Sequence, residues 1–238
     1  MTALRAMSYN IHHARGVDGR VDLARIAAVI RSFDPDVVGI QEVDVGRARS
    51  GAIDQATELA DQLGMTASFA PCIEDGCERY GIATLTRLAV VETRQVMLPR
   101  GVHRRSEPRC ALVTRLAWPG PNDRLAVINT HLSTVFAERP AQLAALADAS
   151  AADQVVLLGD FNCTPWSRPF RALRGNDLRS ATAGARSWPS RLPFAPIDHI
   201  LVRGALAVVR AGAWRSGGAR TASDHLPVIA ELAHTGAA

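Results

Sequence analysis

Val155-Val156-Leu157-Leu158-Gly159-Asp160-Phe161-Asn162 is the stretch on which the fold turns. Four apolar residues in a row, followed by a glycine, describe a strand buried on both faces, as in a sheet covered by other layers. Beyond the glycine, Asp160 and Asn162 stand two positions apart, so in an extended chain their side chains point the same way. A carboxylate and an amide are thus expected at the rim of a buried strand, against the plainer reading of a strand-ending turn capped by Asp and Asn.

Working outward, other strand-like runs end in the same manner. Residues 125–132 (LAVINTHL) carry Asn129 and His131 to one face. In residues 197–200 (IDHI), Asp198 and His199 fall on opposite faces, so only one can look into a given site, and Asp198 is favoured. Residues 38–43 (VGIQEV) end a hydrophobic strand with Glu42, and a buried acid needs a partner or a metal. Asn10 closes the first strand with a neutral oxygen, and Asp224 and His225 precede the last one. Strand after strand ending in an acid, an amide or an imidazole is expected when functional groups cluster at one edge of an α/β scaffold. The oxygen-rich set suits Mg²⁺ or Mn²⁺ better than Zn²⁺, and no Cys/His spacing of the zinc type is present.

Helical patterns separate these strands. Apolar residues at 23, 26, 27 and 30 make one face of a helix stopped by Asp34-Pro35, and a second helix over 55–63 ends at Gly64. Residues 66–116 read as strands and turns, 140–149 and 168–173 as helices, and 180–196 as a polar loop that could carry substrate contacts. Neither a P-loop nor a Gly-x-Ser-x-Gly elbow is present, which argues against a P-loop nucleotidase and a serine hydrolase.

Composition sets the outer bounds. Hydrophobic residues are 47% and charged residues 21% of 238, an ordinary globular balance, and residues 1–238 are expected to form one domain. The net charge is +4, and all 27 basic residues are arginine, which fits either GC-rich codon usage or a phosphate-bearing partner. No run approaches a membrane span, and the start passes directly into a strand-like stretch, so secretion by a signal peptide is not expected. A cytoplasmic monomer without stable membrane insertion is the expectation. Four cysteines are too few for a disulfide scaffold, and Cys72 and Cys77 are read as unrelated thiols.

Tyr9-Asn10-Ile11, Gln41-Glu42, Tyr80-Gly81-Ile82-Ala83, Asn129-Thr130-His131-Leu132, Gly159-Asp160-Phe161-Asn162, Ile197-Asp198 and Ser223-Asp224-His225, in that order and at wide spacing, resemble the endonuclease/exonuclease/phosphatase superfamily. The resemblance spans nearly the whole chain and implies a four-layered α/β sandwich of two packed mixed β-sheets flanked by helices. It also implies a metal-dependent hydrolase of phosphoesters, with Glu42 as principal metal carboxylate and Asn10 and Asp224 near the metal or its waters. Asp160 would orient or deprotonate the attacking water, with Asn162 as its positioning partner. His225, held by Asp198, would contact the phosphate or act as base, and His131 would stabilise phosphoryl oxygens or protonate the leaving group. Asn129 and Arg109 are candidate substrate contacts, the latter within the donor-dense residues 100–109, for which a solvated loop is the competing reading. His12 stands where abasic-site endonucleases carry aspartate, and aromatics are 5% of the chain, so a small or lipid-derived phosphoester is expected ahead of nucleic acid. A DNA nuclease and a catalytically silent binding domain are the alternatives.

Overall fold

The computed structural model describes residues 3–102, 106–118, 124–174, 177–182 and 184–235. Its strands form two six-stranded mixed sheets. In the first, the order is β11 (Leu206–Ala213), β12 (Val228–His234), β1 (Ala3–Asn10), β2 (Val37–Val45), β4 (Glu78–Thr86) and β3 (Thr66–Asp75). In the second it is β5 (Val90–Met97), β6 (Cys110–Ala117), β7 (Arg124–His131), β8 (Val155–Asp160), β10 (Asp198–Arg203) and β9 (Arg179–Ser180). One parallel pair lies in each, β1 with β2 and β7 with β8, and each is joined by a crossover helix, α1 (Leu23–Phe33) or α3 (Arg139–Ala149). Strands that end side by side in the same direction bring their last residues to one rim.

Three apolar clusters fill the spaces between four layers. Helices α1 and α2 (Gln55–Leu63) lay Ile26, Ile30, Phe33 and Leu59 on the outer face of the first sheet. On the outer face of the second, α3 and α4 (Arg168–Arg174) contribute Leu143, Leu146, Phe170 and Leu173. Between the sheets Leu4, Val37, Leu125, Val127, Val156, Leu158, Ile200 and Val228 interdigitate. This is why 155–158 is apolar at every position: odd residues face the helices and even residues face the other sheet. The sheets approach closely at Gly39, where a Cβ would lie 1.9 Å from Leu158 Cδ1. Local signals set the helix limits. Asp22 and Asp54 accept backbone N–H groups of the first turns of α1 and α2, and Gly64 ends α2 with φ +63°.

One feature departs from expectation, and one agrees with the reading of Cys72 and Cys77 as unrelated thiols. Strand β2 does not end at Glu42 but runs to Val45 through a bulge at Glu42, whose φ is +59°. Cys72 meets not Cys77, which is exposed, but Cys110 of the opposite sheet, with sulfurs 2.7 Å apart.

Candidate active site

The second sheet carries a row of chemistry. In the β7/β8 register His131 lies opposite Asp160, and in the β8/β10 register Asp160 lies opposite Asp198. Three neighbouring strands thus bring an imidazole and two carboxylates to one level, all buried (3%, 1% and 0% exposed). His225 enters from the segment between α5 (Ala219–Ala222) and β12, its Nδ1 2.9 Å from Asp198 Oδ2 and its Nε2 3.8 Å from Asp160 Oδ2. Ser223 anchors that segment by donating its hydroxyl to the Asn10 carbonyl at 2.8 Å. Asn162 steadies Asp160 through its backbone N–H, 2.9 Å from Oδ1, while its side-chain amide is given to the Leu132 carbonyl.

The first sheet supplies the facing wall. The Asn10 side chain spans the gap, donating to Glu42 Oε1 at 3.0 Å and to Asp160 Oδ2 at 3.1 Å. Its Oδ1 accepts the His12 N–H at 3.0 Å. An amide nitrogen could not accept that proton, so the orientation is fixed by chemistry. After Asn10 the chain turns sharply through His12, His13 and Ala14, all at positive φ. The open cleft between the two walls, about 810 Å³ in volume, is lined by His12, His13, Glu42, Arg109, His131, Asp160, Asn162 and His225, with Arg47, Arg49, Tyr80 and Trp188 at its sides.

The electrostatics divide the groups into roles. Burial, then the Asp198 charge, raises Asp160 to about 7. Burial works against charge on His225, but Asp198, Asp160 and Asp224 outweigh it and lift that imidazole to about 10. His131 is driven well below 6.5 by burial and by the positive neighbours Arg109 and His225. Arg109 NH1 lies 3.3 Å from His131 Nδ1, and a guanidinium can only donate. The His131 proton therefore sits on Nε2, 3.5 Å from Asp160 Oδ2. Burial and Arg49 lower His13 to about 4.

Two groups of side chains bring potential cation ligands within 4.8 Å of one another: Asp160 with Asp198 and His225, and His12 with His13 and Glu42. In the first, all three groups are buried and His225 Nδ1 lies 2.9 Å from Asp198 Oδ2; in the second, a half-buried carboxylate stands beside two imidazoles on the cleft wall. Glu42 offers the carboxylate of this second group, and the Asn10 Oδ1, expected near a metal or its waters, accepts the His12 N–H and keeps a second lone pair. Asp224 sits at the rim, its Oδ1 3.6 Å from His12 Nδ1.

Asp198, expected in the site, stands behind His225 rather than in the cleft, and His199 on the other face of β10 packs against Phe161 and Phe170. Asn129 corrects the reading from sequence. Its side chain is fully buried between the sheets, donating to the carbonyls of Ile40 at 3.1 Å and Ala83 at 2.8 Å and accepting from Gln41 Nε2 at 2.7 Å. It rivets the sandwich and lines no cleft. Arg109 does reach the cleft, buried and paired with Glu107 at 3.1 Å. Of the donor-dense segment around it, residues 103–105 lie outside the described residues. His13, Tyr80 as a cleft wall and Trp188 were not singled out as site residues in the sequence, and only the run of adjacent histidines gave any hint of the first.

Comparison with known proteins agrees with this architecture. The crystal structure of an endonuclease/exonuclease/phosphatase from Beutenbergia cavernae superposes with a TM-score of 0.80 at 26% identity, covering 100% of this chain and 73% of that one. The protein YbhP of Escherichia coli K12 is 25% identical over 97% of this chain and 96% of its own length. A mannosyl-6-phosphatase of Bacteroides thetaiotaomicron shares the fold, with a TM-score of 0.73 at 20% identity over 97% of this chain and 99% of the other. Residues 7–225 match the sequence pattern of the endonuclease/exonuclease/phosphatase family, and the chain belongs to that family.

Proposed function

We propose that the protein is a divalent-cation-dependent hydrolase acting on a small or lipid-derived phosphoester, as a phosphodiesterase or phosphatase in the cytoplasm. The observation that carries this reading is the set His131, Asp160 and His225, the last held from behind by Asp198, facing Glu42 across one cleft. Asp160, held near neutrality by its surroundings, is the base that takes a proton from water. His225, kept protonated by Asp198, contacts the phosphoryl oxygens as a cation, and neutral His131 donates its Nε2 proton to them. That assignment leaves His131 poorly suited to protonate a leaving group. A cation at Glu42, when bound, neutralises charge developing on the phosphate. A cleft of about 810 Å³ falls in the range of small-molecule sites, which supports a compact substrate.

Hydrolysis of bis(p-nitrophenyl) phosphate and p-nitrophenyl phosphate tests the reading. EDTA is expected to abolish turnover, and Asp160→Ala to lower it by about 10³-fold; full activity in both cases would refute it. One observation favours a nuclease as second reading. Trp188 and Phe194, 36% and 62% exposed with ring centroids 5.8 Å apart, offer a stacking surface beside the cleft. Nicking of supercoiled plasmid under the same conditions would move the assignment to nucleic acid.

A further inference from the structure

We infer that His12 and His13 are direct nitrogen ligands of the cation, so that the site is an imidazole–imidazole–carboxylate seat selecting a first-row transition ion over Mg²⁺. The inference deepens the proposed function and rests on its cation. Three observations point the same way. The ligand atoms of His12, His13 and Glu42 lie within 4.8 Å of one another. Three ligands with bonds of about 2.0–2.2 Å to one ion lie roughly 3.4–3.6 Å apart, so atoms within 4.8 Å of one another close on it with each shifting by under about an ångström.

The second observation is the backbone. Adjacent residues in a strand or helix point their side chains apart. Here φ values of +47°, +44° and +63° at His12, His13 and Ala14 fold the chain so that the two rings meet edge to face, 4.5 Å between centroids. Glu42 reaches the same point from a bulge at φ +59°. All three would-be ligands therefore occupy a conformation that side-chain-bearing residues avoid, and such outliers persist where the surroundings impose them. The surroundings do so: buried Gln55 donates to the His13 carbonyl at 2.9 Å and accepts the Asp44 N–H at 3.0 Å, tying the turn to β2.

The third is the second layer of groups. Asp224, 3.6 Å from His12 Nδ1, is placed to orient that ring, as carboxylates behind ligating imidazoles do. Two positive neighbours on the cleft wall are already answered, since Asp44 holds Arg49 at 2.7 and 2.8 Å and Arg47 at 3.7 Å. Imidazole ligands suit Zn²⁺ and the later first-row ions, and Mn²⁺, which favours oxygen, still accepts an imidazole more readily than Mg²⁺, which demands oxygen and keeps its waters.

Calorimetric titration of the full chain with MnCl₂, ZnCl₂ and MgCl₂, and pulsed EPR of the Mn²⁺-loaded protein, test this. The expected result is ¹⁴N coupling from imidazole in the EPR spectrum and binding of Mn²⁺ and Zn²⁺ at least about 10-fold tighter than Mg²⁺. His12→Asn and His13→Asn remove the ring while keeping a residue that tolerates positive φ. Each should weaken Zn²⁺ binding by about 10- to 100-fold and change Mg²⁺ binding much less. Circular dichroism melts confirm that the variants are folded, and Glu42→Gln supplies a second variant in which the ¹⁴N signal should persist at weaker affinity. A Mn²⁺ spectrum without nitrogen coupling, or variants with unchanged affinities, overturns the seat. Phosphoester hydrolysis could survive that outcome, whereas nitrogen-ligated Mn²⁺ on a protein inert to every phosphoester would overturn the function and leave the seat standing.

Discussion

The two walls of the cleft are built by opposite means. On one, His131 and Asp160, with Asp198 beside them behind His225, occupy consecutive positions across regular ladders, almost wholly buried and already paired with one another or with His225. On the other, His12, His13 and Glu42 stand on irregular backbone at positive φ, with His12 and Glu42 only half buried. Regular strands hold proton-handling groups at fixed mutual distances and exclude water, which is what shifts Asp160 up and His131 down. Bulges and left-handed turns point side chains where an alternating strand cannot, which suits converging on an ion. The difference teaches that one rim can combine a prealigned acid–base row with a separately shaped ligand pocket.

The sharpest way to break the first wall is Asp198→Asn, which keeps shape and removes charge. His225 owes its raised value to Asp198 first among its favourable neighbours, so the variant lowers the pH at which His225 loses its proton. Turnover is expected to fall about 100- to 1000-fold at neutral pH, or roughly 3–4 kcal/mol. The alkaline limb of the pH–rate profile, set near 10 by His225, should move to lower pH. An unmoved limb would remove His225 from the role given to it.

A second comparison lies within β7. Asn129 and His131 leave the strand on the same face, yet one is structural and the other faces the cleft. Asn129→Leu strands buried partners at Gln41, Ile40 and Ala83, and about 3 kcal/mol of stability should be lost. His131→Asn should do the reverse, lowering turnover while costing little stability. Denaturant unfolding beside kinetics on each variant distinguishes them, and a stable but inactive Asn129→Leu would return that residue to the site.

These two residues also mark how far the sequence could be read. Period-two alternation gives the face of Asn129 and His131 correctly, but not how deep along the strand the second sheet begins to cover them. Asp160, Asp198 and His131 were legible because each ends or begins a run whose apolar pattern fixes its direction. A covered α/β sheet was legible for the same reason, since strands without alternation must be covered on both faces, whereas the pairing of two packed sheets came from the family resemblance. Glu42 was legible as an acid in a hydrophobic run, but its bulge was not, because the register shift arises from pairing with β4 and leaves no mark in local composition. His13 was overlooked because adjacent residues ordinarily diverge, and only the left-handed turn makes them converge. Trp188 stands in a polar stretch without periodicity, where tertiary packing alone decides what faces the cleft.

The smallest expected effect separates chemistry from packing on the two faces of β10. Asp198 serves the cleft, whereas His199 is buried against Phe161 and Phe170, its Nε2 2.9 Å from the Cys163 carbonyl. Nε2 must donate there, and buried Nδ1 has no acceptor to receive a second proton's hydrogen bond, so the neutral ring with its proton on Nε2 is favoured. Burial lowers His199 from 6.5 to about 4, so the unfolded chain takes up its proton first as pH falls. The stability this group gives is present above 6.5 and lost as pH drops towards 4. Between pH 7 and pH 5 the loss amounts to about 2 kcal/mol, an order-of-magnitude figure. His199→Gln keeps an N–H donor for Cys163 and removes the titration, so its unfolding free energy should vary less between these pH values by that amount. Turnover at pH 7 should be nearly unchanged, because the side chain points away from the row that Asp198 completes. Equal pH slopes in the two proteins would mean that His199 is protonated in the fold despite its aromatic surroundings, and that the outer face of β10 is polar in a way its packing does not suggest.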